Sequence, residues 1–229
     1  MSSPPIIALH GNLGAAHDWE RLNIPGVDAV DLWAFSDLPL DEFAMFLTEE
    51  IVDSDDRPNI AGYSLGGRLA LQTLASFPDR WGGAVILSAH PGLTDEAEKE
   101  ARRTADGEWA EKARTLLWEE FLQEWNDQPM LSDSPVSKEQ QAVESHREAV
   151  AMAFEYWSLG TQSDLREPLQ EFEGPVLWIT GERDQKFHRF GEEMSEVFGS
   201  FEHVVLPGHG HRCLTPDAAA VIRDWQTQF

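Results

Sequence analysis

The sequence predicts an α/β fold: a mainly parallel sheet of about six strands, helices on both faces, and one helical insertion. Three observations carry this. Short apolar runs bounded by turn residues alternate with longer stretches of helical period, the pattern of βα units. The runs are apolar at successive positions rather than at every second one, as strands covered on both faces require. Finally, 229 residues that are 41% hydrophobic and 10% aromatic hold enough apolar surface for a sizeable core, which excludes a disordered acidic chain.

Strands are expected at Pro5–His10, Val27–Trp33, Asn59–Tyr63, Ala84–Ser88, Val176–Thr180 and His203–Leu206. Helices are expected between them at Asp41–Val52, Leu65–Ser76, Phe190–Val197 and Asp217–Trp225. The last is opened by Thr215 as N-cap and Pro216 as first helical residue. From Gly92 to Leu165 the alternation stops and only helical periodicity remains. Trp118, Phe121, Leu122 and Trp125 fall at i, i+3, i+4 and i+7 on one face, and a second helix is expected over Lys138–Leu159. The expected organisation is therefore a core of residues 1–91 and 166–229 with a helical cap inserted at 92–165.

Charge narrows the partners. With 41 Asp and Glu against 17 Lys and Arg, the formal charge is −24, which repels nucleic acid and anionic membrane surfaces. A small-molecule partner is expected instead. The single cysteine, Cys213, cannot form an internal disulfide, and no Cys/His spacing suggests a metal site, so neither metal nor cofactor is expected. The first residues lack the basic and apolar regions of a signal peptide, and no apolar run is long enough to span a bilayer. The expected location is the cytoplasm; the oligomeric state is not encoded in any pattern.

The strongest chemical signal is Gly62-Tyr63-Ser64-Leu65-Gly66, a G-x-S-x-G that ends a predicted strand and opens a predicted helix. In that context the glycines permit a sharp turn that exposes the serine hydroxyl at a helix N-terminus, a nucleophile elbow. A serine needs a base, and the base an orienting acid. In α/β-hydrolases the order is serine, acid, histidine. Gly181-Glu182-Arg183-Asp184 follows the fifth strand and supplies Asp184 as the acid, ahead of Glu182, which sits nearer the strand end. Pro207-Gly208-His209-Gly210-His211 follows the sixth. His209, directly after the Pro-Gly turn, is the favoured base, and His211 is the alternative. His10-Gly11-Asn12-Leu13-Gly14, ending the first strand, is expected to present the Asn12 amide to developing negative charge, with the Leu65 amide as second donor.

Taken with others, these residues resemble the 2-succinyl-6-hydroxy-2,4-cyclohexadiene-1-carboxylate synthase family of menaquinone biosynthesis, lyases of α/β-hydrolase fold. The likeness rests on Arg68 after the paired glycines of the elbow, His90-Pro-Gly-Leu93, the Arg102-Arg103 region with Trp109, Trp125-Asn-Asp-Gln-Pro129, and Gly181-Glu-Arg-Asp-Gln-Lys-Phe187. It implies elimination of pyruvate from a cyclohexene carboxylate bearing enolpyruvyl and succinyl groups, with the triad removing a ring proton beside the succinyl ketone. It further implies that Arg68 and Arg102 hold carboxylates, that Trp125 packs on the substrate and that Tyr63 lines its site. A carboxylester hydrolase would use the same triad. Since the chain as a whole repels anions, the lyase reading requires Arg68, Arg102 and one of Arg103 or Lys186 to gather around Ser64.

Overall fold

A computed structural model describes residues 4–51, 57–131 and 139–228. Six strands, β1 (Ile6–Leu9), β2 (Val27–Val30), β3 (Asn59–Tyr63), β4 (Gly83–Leu87), β5 (Val176–Gly181) and β6 (Phe201–Leu206), form one sheet in the order β2-β1-β3-β4-β5-β6. All five pairings are parallel, with Leu9 opposite both Val30 and Gly62, and Ile179 between Leu87 and Val204. The helices among the described residues are α1 (His17–Glu20), α2 (Leu40–Phe46), α3 (Leu65–Ser76), α4 (Glu96–Thr115), α5 (Trp118–Asn126), α6 (Glu139–Ala142), α7 (Arg147–Tyr156), α8 (Gln185–Met194) and α9 (Pro216–Gln226).

The period of two along each strand divides the core into two layers. Ile7, Leu9, Ile60, Ile86 and Trp178 face one side, where they pack with Leu69 and Leu74 of α3 and Phe43 of α2. Ile6, Ala8, Val85, Leu177 and Ile179 face the other, with Trp19, Ala218 and Ile222. The central strands β1, β4 and β5 are buried at every position, which is why their sequences read as unbroken apolar runs, whereas the edge strands β2 and β6 are only partly covered.

Several elements depart from the sequence reading. The helix expected over Asp41–Val52 is α-helical to Phe46 and continues as a π turn over Leu47–Ile51, and the last strand starts at Phe201. The second strand stops at Val30 because Asp31 caps a 3₁₀ turn over Leu32–Ala34, its carboxylate accepting from the Trp33 N–H at 3.2 Å. The helix expected to start at Phe190 starts at Gln185. Gly191 lies inside both the expected and the observed helix; a Cβ there would lie 2.4 Å from the His203 ring, so glycine is what lets α8 pack on β6. Thr215 precedes α9 without a side-chain cap, its hydroxyl lying 3.3 Å from His209 Nε2. The long helix expected over Lys138–Leu159 is broken into α6, a 3₁₀ turn (Val143–His146) and α7; Lys138, like Val52 at the end of the helix expected from Asp41, lies outside the described residues.

Between β4 and β5 the described residues form helices and turns without a strand. Trp118, Phe121 and Leu122 of α5 are buried, and Trp125 packs edge-on to Trp109 of α4 (5.2 Å between centroids) and against Phe154 of α7 (5.3 Å). None of the described helices is long and apolar enough to cross a membrane.

Candidate active site

Ser64 stands between β3 and α3 with φ 52° and ψ −106°, a conformation that costs about 1–3 kcal/mol in a non-glycine residue. The flanking glycines make it attainable. A Cβ on Gly62 would lie 2.2 Å from the Gly66 carbonyl oxygen, and one on Gly66 would lie 2.2 Å from that of Leu9, so the turn is pressed between neighbouring backbones. The Ser64 N–H is anchored on the Leu87 carbonyl (2.9 Å), which fixes the elbow to β4.

The base at Ser64 is a correction to the sequence reading: the histidine in contact is His211, not His209. His211 Nε2 is 3.0 Å from Ser64 Oγ, and His211 Nδ1 is 2.8 Å from Asp184 Oδ2. Nδ1 therefore donates to the carboxylate and leaves Nε2 to accept the serine hydroxyl. His211 and Asp184 are both buried, and the His211 ring is flanked by Phe187 (4.5 Å) and Tyr63 (5.8 Å). His209 turns outward, with Nδ1 2.9 Å from the Pro207 carbonyl and Nε2 3.4 Å from Asp217. The loop geometry explains the exchange. The backbone at His209 and Gly210 lies against Gly181, where any Cβ would meet their carbonyl oxygens at 2.5 and 2.3 Å, and the Arg183 N–H bonds the His209 carbonyl at 2.9 Å. His209 is thus consumed in crossing β5, and the side chain two residues on reaches Ser64. Gly210 directly before His211 was the available signal. Glu182, the weaker candidate acid, accepts from the Gly208 N–H (2.8 Å) and stays out of the chain of bonds.

A cavity of about 190 Å³ opens over Ser64. Asn12 and Leu65, the expected amide donors, both line it; Leu65 begins α3, whose first N–H groups have no partner within the helix. Tyr63 lines it as well, and burial, followed by the nearby Cys213, holds its phenol well above the ordinary value, so it stays protonated. Arg68, Arg102 and Lys186 line the same cavity, together with Trp125. Arg103 does not. Its guanidinium is bound by Glu100 (2.6 Å) and the Gly160 carbonyl (2.7 Å).

The two arginines have defined anchors. Arg68, on α3, donates to Gln162 Oε1 (2.9 Å) and to the Trp157 carbonyl (2.6 Å), and burial and then Arg102 pull its pKa down to about 9. Arg102 donates from Nε to Asp106 (2.8 Å), a buried carboxylate that also accepts the Ser158 hydroxyl at 2.7 Å. Burial and then Arg102 lower the pKa of Lys186. Cations that depress one another in a chain of charge −24 mark a local positive field at this cavity. Among the lining residues to which the sequence reading gave no site role are His90, Arg212, Asp18 and Arg21. Arg212 follows His211 and reaches across to the Asn126 side chain and the Leu131 carbonyl. Its adjacency to His211 was the signal.

A single sheet of parallel strands, a strained serine at a strand-to-helix turn and a Ser-His-Asp chain of hydrogen bonds define the class, and residues 6–224 match the family model of the alpha/beta hydrolase family, to which the chain belongs. Within that family, the chain is similar to the 2-succinyl-6-hydroxy-2,4-cyclohexadiene-1-carboxylate synthases of Salmonella typhimurium and Salmonella agona, each 29% identical over 96% of this chain and 91% of the relative. The MenH structure from S. aureus superposes with a TM-score of 0.86 at 21% identity, over 100% of this chain and 95% of that one. The malate-bound thermophilic esterase of Thermogutta terrifontis superposes at 0.73 and 20% identity, over 99% of this chain and 90% of that one.

Proposed function

We propose that the protein is a lyase that eliminates pyruvate from 2-succinyl-5-enolpyruvyl-6-hydroxy-3-cyclohexene-1-carboxylate, giving 2-succinyl-6-hydroxy-2,4-cyclohexadiene-1-carboxylate. The observation that carries this is the gathering of Arg68, Arg102 and Lys186 around Ser64 in so acidic a chain. A substrate bearing several carboxylates needs those charges at short range. Beyond about 8 Å at physiological ionic strength, repulsion by the rest of the surface is screened. The names of the Salmonella relatives supply the particular compound.

In this reading the Ser64 hydroxyl, polarised by His211, takes the ring proton next to the succinyl ketone as its own proton passes to His211 Nε2. Asp184 stabilises the imidazolium that results. The electron pair of the broken C–H bond moves to the ketone oxygen, where the Asn12 and Leu65 amides receive the enolate charge. The enolate re-forms the ketone as its electron pair makes the C2=C3 bond, the former C3=C4 pair shifts to C4=C5, and the C5–O bond breaks with its electrons leaving on the enolpyruvyl oxygen. Protonation yields pyruvate, and no water is consumed. Residues 92–165 serve as a helical cap over a core formed by 1–91 and 166–229. Neither metal nor cofactor enters, and the substrate is a small anionic metabolite.

The test is pyruvate release by the purified protein. Release that disappears in Ser64→Ala supports the lyase, and no release above that control from folded protein overturns it. The second reading, a carboxylester hydrolase, is favoured by the same serine geometry and by the likeness to an esterase structure. It gives the cluster of cations no role, and rapid turnover of short acyl esters without elimination would establish it.

A further inference from the structure

His90 belongs to the His90-Pro91-Gly92-Leu93 stretch that the triad leaves unexplained. Its backbone is heavily constrained. Gly92 has φ +114°, and a Cβ there would lie 2.2 Å from the Ser163 carbonyl oxygen. The Gly92 carbonyl accepts from Arg166 (3.2 Å), and the Pro91 carbonyl accepts from the Leu165 N–H (2.9 Å). The product of this turn is one hydrogen bond: the Gly92 N–H donates to His90 Nδ1 at 3.1 Å. A ring nitrogen that accepts carries no proton, so the neutral imidazole must hold its proton on Nε2. Phe190 fixes the ring plane, with 4.2 Å between centroids. The ring lines the same cavity as Ser64, Arg68, Arg102 and Lys186.

We propose that His90 is a substrate-binding residue: a fixed, uncharged Nε2–H donor that takes a carbonyl or carboxylate oxygen of an oxo-acid substrate at the arginine-lined end of the cavity. The assignment rests on the reading of this cavity as an anion-holding active site. Burial, and then the charges of Lys186, Arg68, Arg166 and Arg102, hold the pKa of the ring at about 3, so it presents one tautomer at neutral pH rather than a mixture with the imidazolium. A neutral donor adds direction where the cations add attraction. It discriminates by geometry, because an analogue lacking the oxygen would leave a desolvated N–H without a partner.

His90→Phe keeps the packing on Phe190 and removes the donor, and His90→Gln restores an N–H near the Nε2 position. For pyruvate release, His90→Phe is expected to raise KM by roughly tenfold or more with a smaller change in kcat, and His90→Gln to recover part of it. Fluorophosphonate labelling of Ser64 should be unchanged in both. Binding of 4-(2-carboxyphenyl)-4-oxobutanoate, an aromatic oxo-dicarboxylate probe, should weaken in His90→Phe by a similar factor. In the wild-type protein, ¹⁵N-edited NMR should show the His90 proton on Nε2 from pH 5 to 8 and a shift of that signal when the probe binds. A folded His90→Phe with unchanged KM and probe affinity, or a proton on Nδ1, overturns the assignment. Absence of pyruvate release in the wild type overturns the lyase reading instead, and the tautomer and probe measurements then decide His90 separately.

Discussion

The two walls of the cavity are built by different means. On the sheet side, Ser64, Leu65 and His211 are placed by backbone: the elbow folds tightly on itself at Gly62 and Gly66 and presses on Leu9, and the His209–Gly210 segment lies against Gly181. On the helical side, Arg102 is placed by side chains, through a buried carboxylate and a serine hydroxyl, and Trp125 by its aromatic neighbours. Arg68 joins the two, leaving α3 to bond the Trp157 carbonyl. The difference separates two tasks. Bond-making groups need positions that do not relax, and close-packed backbone supplies them. On the proposed reading, the groups of the hydrogen-bonded helical wall hold the substrate and can be exchanged without disturbing the chemistry.

The comparison breaks first, if it breaks, at the two histidines of one loop. His211→Ala is expected to lower kcat for pyruvate release by about 10³-fold or more, whereas His209→Ala should change it less than about threefold. Equal losses, measured on folded variants, would show that the loop does not separate the two side chains as described. A smaller effect is expected on the helical wall. Arg102→Met should raise KM about 10- to 100-fold while kcat stays within a few fold, because charge is lost far from the reacting proton. A fall in kcat alone would place Arg102 among the reacting groups and erase the distinction.

The smallest expected effect is on stability. The His90 ring resists protonation until about pH 3 when folded, whereas a histidine in the unfolded chain binds its proton near pH 6.5. Between those values the unfolded chain holds more protons, so stability falls as the pH drops. The wild type should therefore lose about 2 kcal/mol more than His90→Phe between pH 7 and pH 5, read from urea unfolding at each pH. Equal losses would mean that burial and the cations on the cavity wall do not together hold this ring neutral.

Much of this was legible in the sequence, for identifiable reasons. The helix Leu65–Ser76 was placed at both ends, because the elbow glycines start it and its apolar period runs unbroken. Ser64, Asp184, Asn12, Leu65, Arg68, Arg102, Trp125 and Tyr63 all lie at one cavity or in the hydrogen-bond chain that serves it. The start of α8 was missed by five residues, because Gln185–Arg189 was read as the end of the acid loop rather than as the first turn of the helix. Arg103 and Arg102 are adjacent, yet successive helical residues point about 100° apart, so only one can face the cavity.

The sequence by itself determined the class of fold and singled out Ser64 and Asp184, which the structure joins through His211; the need for cations near them belongs to the proposed lyase reading. Those follow from local patterns: apolar runs, a glycine-flanked serine, and charges that stand out against a net −24. Which histidine meets Ser64, and which arginines and lysine surround it, was decided only by the tertiary structure. His209 and His211 are separated by one glycine, and the choice between them depends on where the loop crosses β5, a distance set by packing between strands remote in the chain.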